Sequence, residues 1–445
     1  MSPDVLVVGA GPTGLMLACE LARAGVRFRL VEKSAEPSPR SRALVVHART
    51  LELFQKLGVD EALVSRGRRT VNASVYINRA HAADFDVDDT GIDDTPYPFI
   101  LFVSQAETER VLSEWLARAG VVVERGVEAA SVDPLGEVVL RRGSATETIR
   151  PRFVVGCDGA HSVVRHAGNF AFDGEPYQQD FVLADLRVEP PVDRLELCFD
   201  DRGLFALLPL TGGVTRIIAT FADAPKTTSD PSLADVQARA DARAPSSGRL
   251  SDPSWLARFR LHHRQADSYR LGPLFLAGDA AHIHSPAGGQ GMNTGIQDAA
   301  NLAWKLALVV RGGASEKLLD TYDEERHPVG RDLLRTTDRL FSVNTSGHAW
   351  AKALRNFVVR HVAPRVLSSR ERRAFAFRFL AELRVAYTKS SIVMGPRAGT
   401  RAPDAPLADG APATIFSATR EQAHHLLVFA RDRPTAEAFV ARSWV

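Results

Sequence analysis

The chain has 445 residues, enough for two or three packed units with sizeable cores and far more than a peptide module or a disulfide-stapled scaffold needs. Its 55 basic and 53 acidic side chains leave a formal charge of +2, and 45% hydrophobic with 24% charged residues is ordinary globular composition; a nucleic-acid or membrane-surface footprint is excluded. Cys19, Cys157 and Cys198 lie far apart with no C-x-x-C pair, so neither a metal site nor a disulfide framework is expected.

The N-terminus runs into an apolar strand without a basic leader or a small-residue cleavage site, and no uncharged apolar run reaches about 18 residues, which predicts a cytoplasmic protein. Residues 5–8, 15–24 and 28–31 read as a strand, an amphipathic helix and a parallel strand. Helices are predicted over 48–57 and over 105–119, the latter from Val111, Leu112, Trp115 and Leu116 at helical spacing. Residues 71–104 alternate between Asp, Gly and Pro breaks. From 181 to 221 the pattern is strand-like, with Leu195, Leu197 and Phe199 alternating and Thr215, Ile217, Ile218 and Thr220 clustered, which reads as an antiparallel sheet inserted into the nucleotide-binding unit. One surface helix is expected within 223–254, a buried strand at 274–277, a strong helix at 298–310 and mostly helix over 316–390. After Gly395 the composition turns to Pro, Ala and Asp, a linker signature, with a strand candidate at 425–429.

Three glycine-bearing motifs carry the chemistry. Gly9-Ala10-Gly11-Pro12-Thr13-Gly14 follows a strand and opens a helix. The first glycine allows the tight turn, the second lets a pyrophosphate reach the backbone, the third brings helix against strand, and the helix N-terminus offers partial positive charge. Glu32, with Lys33 beside it, stands at the end of the second strand, where a carboxylate accepts hydrogen bonds from an adenosine ribose. At this point NAD and FAD both qualify. The second motif is a short apolar strand ending in Asp158-Gly159, with Ser162 and Arg165 following. The third runs from Leu274 through Gly278-Asp279 to Ser285, Pro286 and a loop over 288–293 that enters a helix containing Asp298. Asp279 can hold the hydroxyls of a ribityl chain, and a glycine loop entering a helix aims backbone N–H groups at an anionic ring edge; NAD has no ribityl chain to require this.

With these motifs in this order over residues 4 to about 340, the chain resembles the flavin-dependent aromatic hydroxylases, the group A flavoprotein monooxygenases that share the para-hydroxybenzoate hydroxylase fold, and most closely their aromatic polyketide and phenol hydroxylase-like branch. The resemblance implies an α/β fold: a Rossmann-like FAD-binding domain over 1–75, 104–180 and 270–340, an antiparallel-sheet substrate domain over 76–103 and 181–269, a helical region over 341–395, and a linker with a truncated thioredoxin-like segment over 396–445. It assigns FAD contacts to Gly9, Gly11, Pro12, Thr13, Gly14, Glu32, Lys33, Arg42, Gln105, Asp158, Gly278, Asp279, Pro286, Gly289, Gly291, Met292 and Asn293, with Asp158 also implicated in NADPH binding. Phe205, Leu207 and Pro286 are the candidates for the substrate pocket.

The activity implied is a monooxygenase in which NADPH or NADH reduces FAD, O2 adds at carbon 4a of the flavin, and the hydroperoxide hydroxylates an aromatic ring. No second dinucleotide-binding unit is visible, in keeping with a transient nicotinamide cofactor. Simple-phenol enzymes of the family place a carboxylate shortly before the Arg-Thr-Leu-Glu segment; here Leu44, Val45, Val46 and His47 precede Arg49, so a polycyclic polyketide is the expected substrate and no catalytic base is nominated. The alternatives are an antibiotic-inactivating or simple-phenol monooxygenase, and a non-catalytic FAD-binding protein. Halogenation is disfavoured, since the five tryptophans are widely separated.

Overall fold

The computed structural model describes residues 2–421 except 39–42, 70–71, 86–88, 222–229, 285–286, 346–352, 355, 363–364, 366–367, 396 and 408–412, and also residue 425. Residues Met1–Pro403 form one compact unit. It opens with β1 (Val5–Val8), α1 (Pro12–Arg23) and β2 (Phe28–Glu32). β3 (Val45–Val46), α2 (Ala48–Leu57), α3 (Asp60–Val64) and β4 (Arg68–Arg69) follow, then β5 (Ala73–Ile77), β6 (Ala80–Phe85) and β7 (Leu101–Phe102). Ser104 caps α4 (Gln105–Arg118), which leads to β8 (Val123–Arg125), a meander of β9 (Glu128–Val132), β10 (Val138–Arg142) and β11 (Ala145–Ile149), then β12 (Phe153–Gly156) and α5 (Val163–Ala167). The next segment holds β13 (Phe172–Glu189), β14 (Leu195–Asp200), β15 (Gly203–Pro209), β16 (Thr215–Phe221), α6 (Leu233–Arg243) and β17 (Arg249–Ala266). The unit continues with β18 (Arg270–Leu271), β19 (Leu274–Leu276), β20 (His282–Ile283), α7 (Gly291–Val310), α8 (Asp320–Thr345) and α9 (Arg370–Leu380).

The nucleotide-binding sheet has the order β18-β19-β12-β1-β2-β8, parallel except at the β18 edge. All four residues of β1 and of β12 are buried, as expected of parallel strands covered on both faces. α1 packs on this sheet and α7 packs against α1: Leu15, Met16, Leu17, Ile296, Ala299 and Leu302 have no exposed surface.

The second sheet has the order β20-β17-β13-β16-β15-β14-β5-β6 and is antiparallel apart from the β14–β5 pair. Its two faces lie in different cores. Val182, Ala184, Phe205, Leu207 and Ile217 pack under α6 against Val236 and Ala240, whereas Ala206 and Leu208 belong to the large core shared with the nucleotide-binding sheet.

The inserted sheet is larger than the sequence pattern indicates. β13 begins at Phe172, ahead of the strand-like run, and pairs along its length with β17, which was not expected as a strand. Residues 249–259 are mostly half-buried or exposed and alternate poorly, so their strand conformation comes from pairing with β13 and not from a period-two pattern.

A second unit, 404–445, is described only in part; there Thr414 caps the short helix Ile415–Ala418, and the strand expected at 425–429 lies, apart from His425, outside the described residues. No described helix is long and apolar enough to cross a membrane.

Candidate functional site

β1, β12 and β19 are neighbours in register, Val8 beside Gly156 and Gly156 beside Leu276, so the three motifs leave the sheet side by side at its carboxyl edge. Ligands of open α/β sheets bind at that edge. The motifs are also joined directly. A Cβ on Gly9, which sits at φ +100°, would collide with the Cys157 carbonyl, and a Cβ on either Gly278 or Gly295 would collide with the Thr13 hydroxyl. Arg165, 3% exposed, donates to the carbonyls of Ala280 at 3.0 Å and Ala160 at 2.7 Å, tying the second motif to the third.

Among the first glycines, two are explained by the protein itself. Gly14 lies so close to the Gly9 carbonyl that a Cβ would overlap it. Gly11 is different: among the described residues beyond its chain neighbours no atom lies within 4 Å of where its Cβ would be, and its φ of −74° suits any residue. Nothing in the protein requires a glycine there, but a phosphate approaching the backbone would. Pro12 begins α1, which has no side-chain cap, leaving the first-turn N–H groups open to such a group. Glu32 accepts from the Ala10 and Ser34 N–H groups, each at 2.8 Å, and a carboxylate so fixed keeps lone pairs for ribose hydroxyls. These residues fit an adenine dinucleotide.

Asp158 accepts from the Val163 N–H at 2.7 Å through Oδ2, while its Oδ1 is buried without a hydrogen-bond partner. Burial raises its pKa and the hydrogen bonds oppose the rise. Asp279 is an exposed residue of the turn Gly278–Ala280 at the sheet edge.

In the glycine loop, Gly288 and Gly289 have φ of +83° and +65° and Gly291 begins α7, with Met292 partly exposed in its first turn. Asn293 is fully buried and its side chain is committed. Its Nδ2 donates to the carbonyls of Val45 and Gly289, both at 2.8 Å, and its Oδ1 accepts from the His47 N–H at 2.9 Å. Asn293 therefore staples the loop to β3. His47 lies 2.9 Å from the Gly288 carbonyl through Nε2, and burial pushes its pKa down to about 4. A hydrogen-bonded imidazole of that basicity serves the loop's shape better than proton abstraction near neutrality.

Beneath the loop lies a network that sequence reasoning missed. Asp298, fully buried on α7, accepts from the Gly278 N–H at 3.1 Å, His282 Nε2 at 2.7 Å and Arg326 Nε at 2.7 Å. Burial works to raise its pKa, but the Arg326 charge and His282 outweigh burial and hold it below the usual value. Arg326 also reaches the Thr294 carbonyl and the Tyr387 hydroxyl, each at 3.1 Å. Asp298 is the one acidic residue of α7, and that is its signal in the sequence; Arg326 and Tyr387 have none.

Other candidates lie elsewhere. Lys33 is 75% exposed and pairs with Glu128 at 2.8 Å. Gln105 begins α4, accepts from the Ala43 N–H at 3.3 Å and donates to Glu109 at 2.8 Å. Arg42 and Pro286 lie outside the described residues. Phe205 and Leu207 are fully buried beneath α6, so the structure turns them away from the face shared with the nucleotide-binding core; their neighbours Ala206 and Leu208 occupy that face. Among the described residues no cluster of His, Cys, Asp or Glu is placed to hold a metal ion.

Comparison with known proteins matches residues 2–337 to the FAD binding domain family. An aromatic compound monooxygenase of Bacillus subtilis, itself uncharacterized, is 40% identical over 346 residues, 76% of this chain and 68% of the relative. The 6-methylpretetramide 4-monooxygenase of Streptomyces rimosus is 43% identical over 344 residues, 75% of this chain and 61% of that enzyme's length. The structure of an anhydrotetracycline hydroxylase from Streptomyces rimosus superposes with a TM-score of 0.80 at 33% identity, covering 100% of this chain and 88% of the other. The chain belongs to the FAD binding domain family, as a flavoprotein aromatic monooxygenase.

Proposed function

We propose that this enzyme hydroxylates a fused polycyclic, polyketide-derived phenol in the cytoplasm, with NADPH or NADH as transient reductant and O2 as oxygen donor. FAD supplies the oxygen activation and transfer. The chain's own residues bind and orient: Gly11 and the start of α1 would hold the pyrophosphate, Glu32 the ribose, Asp279 the ribityl chain, and the loop ending in Asn293 the flavin ring. The observation that carries the substrate class is Leu44, only 4% exposed and beside the β3 segment that Asn293 ties to the glycine loop. An apolar side chain stands where a small-phenol enzyme would place a carboxylate, and the ring of His47 is engaged by the Gly288 carbonyl. A polycyclic ligand offers more area to bury at about 25 cal/mol per Å2, and its acidic phenols ionise without a protein base. Two of the similar enzymes are named for tetracycline-type substrates, 6-methylpretetramide and anhydrotetracycline.

The test is NAD(P)H oxidation across an aromatic panel, with product mass and 18O2 incorporation followed. Polycyclic phenols should accelerate flavin reduction and gain one labelled oxygen, with phenol and para-hydroxybenzoate giving little coupled product. Well-coupled hydroxylation of a single-ring phenol, with no response to polycyclic ligands, overturns the substrate class and leaves FAD binding intact.

A further inference from the structure

The family match ends at residue 337, yet a turn well beyond it is built against the glycine loop. The Leu380 side chain lies against Gly288, and the Leu380 carbonyl accepts from Gln290 Nε2 at 3.4 Å. The Ala381 carbonyl accepts from the Arg49 N–H at 3.3 Å. Glu382 follows in a left-handed conformation, φ +59°, which a residue with a side chain adopts at a cost. Its side chain turns inward, 6% exposed, and its carboxyl meets the Thr294 hydroxyl at 3.0 Å and Gln297 Nε2. Both partners sit on the first two turns of α7, directly after the loop that ends in Asn293. A strained backbone, a buried acid and two side-chain bonds to one helix end describe a clamp.

Among the described residues no guanidinium or ammonium group bonds to this carboxyl. Arg326, which faces it from α8, is engaged by Asp298 at 2.7 Å, by Tyr387 and by the Thr294 carbonyl, and Asp298 brings a negative charge of its own with His282 behind it. Burial accordingly pushes the Glu382 pKa up to about 8, a rise that Thr294, Arg326 and Gln297 only partly offset. A buried carboxyl without a dedicated counter-ion is held as the neutral acid, and ionising it loads the junction with an uncompensated charge.

We propose that Glu382 is a positioning residue that holds the glycine loop in its FAD-binding shape as a neutral acid and loosens that hold when it ionises. FAD should then bind the protonated form preferentially, and its affinity should fall as pH rises. The proposal rests on FAD binding at this loop and is independent of the substrate.

The experiment is the Kd of FAD for the FAD-stripped full chain, read by flavin fluorescence from about pH 6.5 to 9, with visible-region circular dichroism of the bound flavin as a second readout. Wild type should weaken about five- to tenfold between about pH 7 and 9. Lys305, also on α7, has its pKa lowered by burial to about 8 and would give a similar midpoint, so variants must separate the two. Glu382→Gln keeps the hydrogen-bonding shape with no proton to lose. It should match wild type at about pH 7 within about threefold and stay flat above it. Glu382→Ala, which leaves Thr294 and Gln297 without this partner, should weaken FAD about tenfold or more at every pH. Should Glu382→Ala fail to fold, the Glu382→Gln comparison decides. A pH-independent wild-type Kd, or a Glu382→Gln profile with the wild-type midpoint, overturns the proposal; failure of wild type to bind FAD at all would instead overturn the reading of the loop.

Discussion

Gly11 separates what the fold needs from what the ligand needs. In Gly11→Ala the new methyl enters a space in which the described residues beyond its chain neighbours place no atom within 4 Å, on a backbone that alanine adopts without strain. The apoprotein loses a modest preference for glycine at the helix cap and gains roughly 0.4–1 kcal/mol from a stiffer unfolded chain, so its stability should change by less than about 1 kcal/mol. The ligand has no such latitude. Losing one charge-assisted bond from the start of α1 to a phosphate costs about 1.5–3 kcal/mol, which weakens FAD roughly 10- to 150-fold. Gly14→Ala is the contrast, because its Cβ overlaps the Gly9 carbonyl and should damage apoprotein stability and FAD binding together. Urea unfolding of the FAD-stripped proteins and FAD titration by fluorescence measure the two quantities. If Gly11→Ala binds FAD within about twofold of wild type, or lowers apoprotein stability by more than about 2 kcal/mol, the assignment of that space to a phosphate is wrong.

Two further substitutions address the buried groups around the site. Asp298→Asn leaves Arg326 without its carboxylate in the interior, and denaturation should show a loss of about 3–5 kcal/mol; a loss below about 1 kcal/mol would mean the pair does not organise the α7 junction. His47 has its pKa depressed from 6.5 to about 4, so the stability it contributes is complete above about pH 6.5 and is lost as pH falls through about 4, a change of roughly 3 kcal/mol. His47→Gln, which cannot take up that proton, should flatten the stability profile over this window in pH-dependent denaturation, and parallel profiles would remove His47 as the group responsible.

The nucleotide-binding half was legible in the sequence because its signals are local. A glycine turn needs a strand before it and a helix after it, and residues 5–32 carry all three within one short stretch, so strand, helix and Glu32 are legible together. The second and third motifs could be read in the same way, as short apolar strands followed by Asp-Gly or Gly-Asp. How the motifs meet was decided by tertiary structure. Thr13 fills the gap between Gly278 and Gly295, and Asn293 is used up holding β3, contacts that span most of the chain and leave no periodic trace. The strand conformation of 249–266 comes from pairing with β13, since its own side chains alternate too weakly to announce it. The face on which Phe205 and Leu207 lie follows from where α6 packs, because a period of two specifies that alternate residues share a face but not which face meets the flavin unit. Glu382 shows the limit most clearly. Nothing around it in sequence marks a functional acid, and it matters because chain folding buries it beneath α7, where the desolvation of a carboxyl governs its protonation.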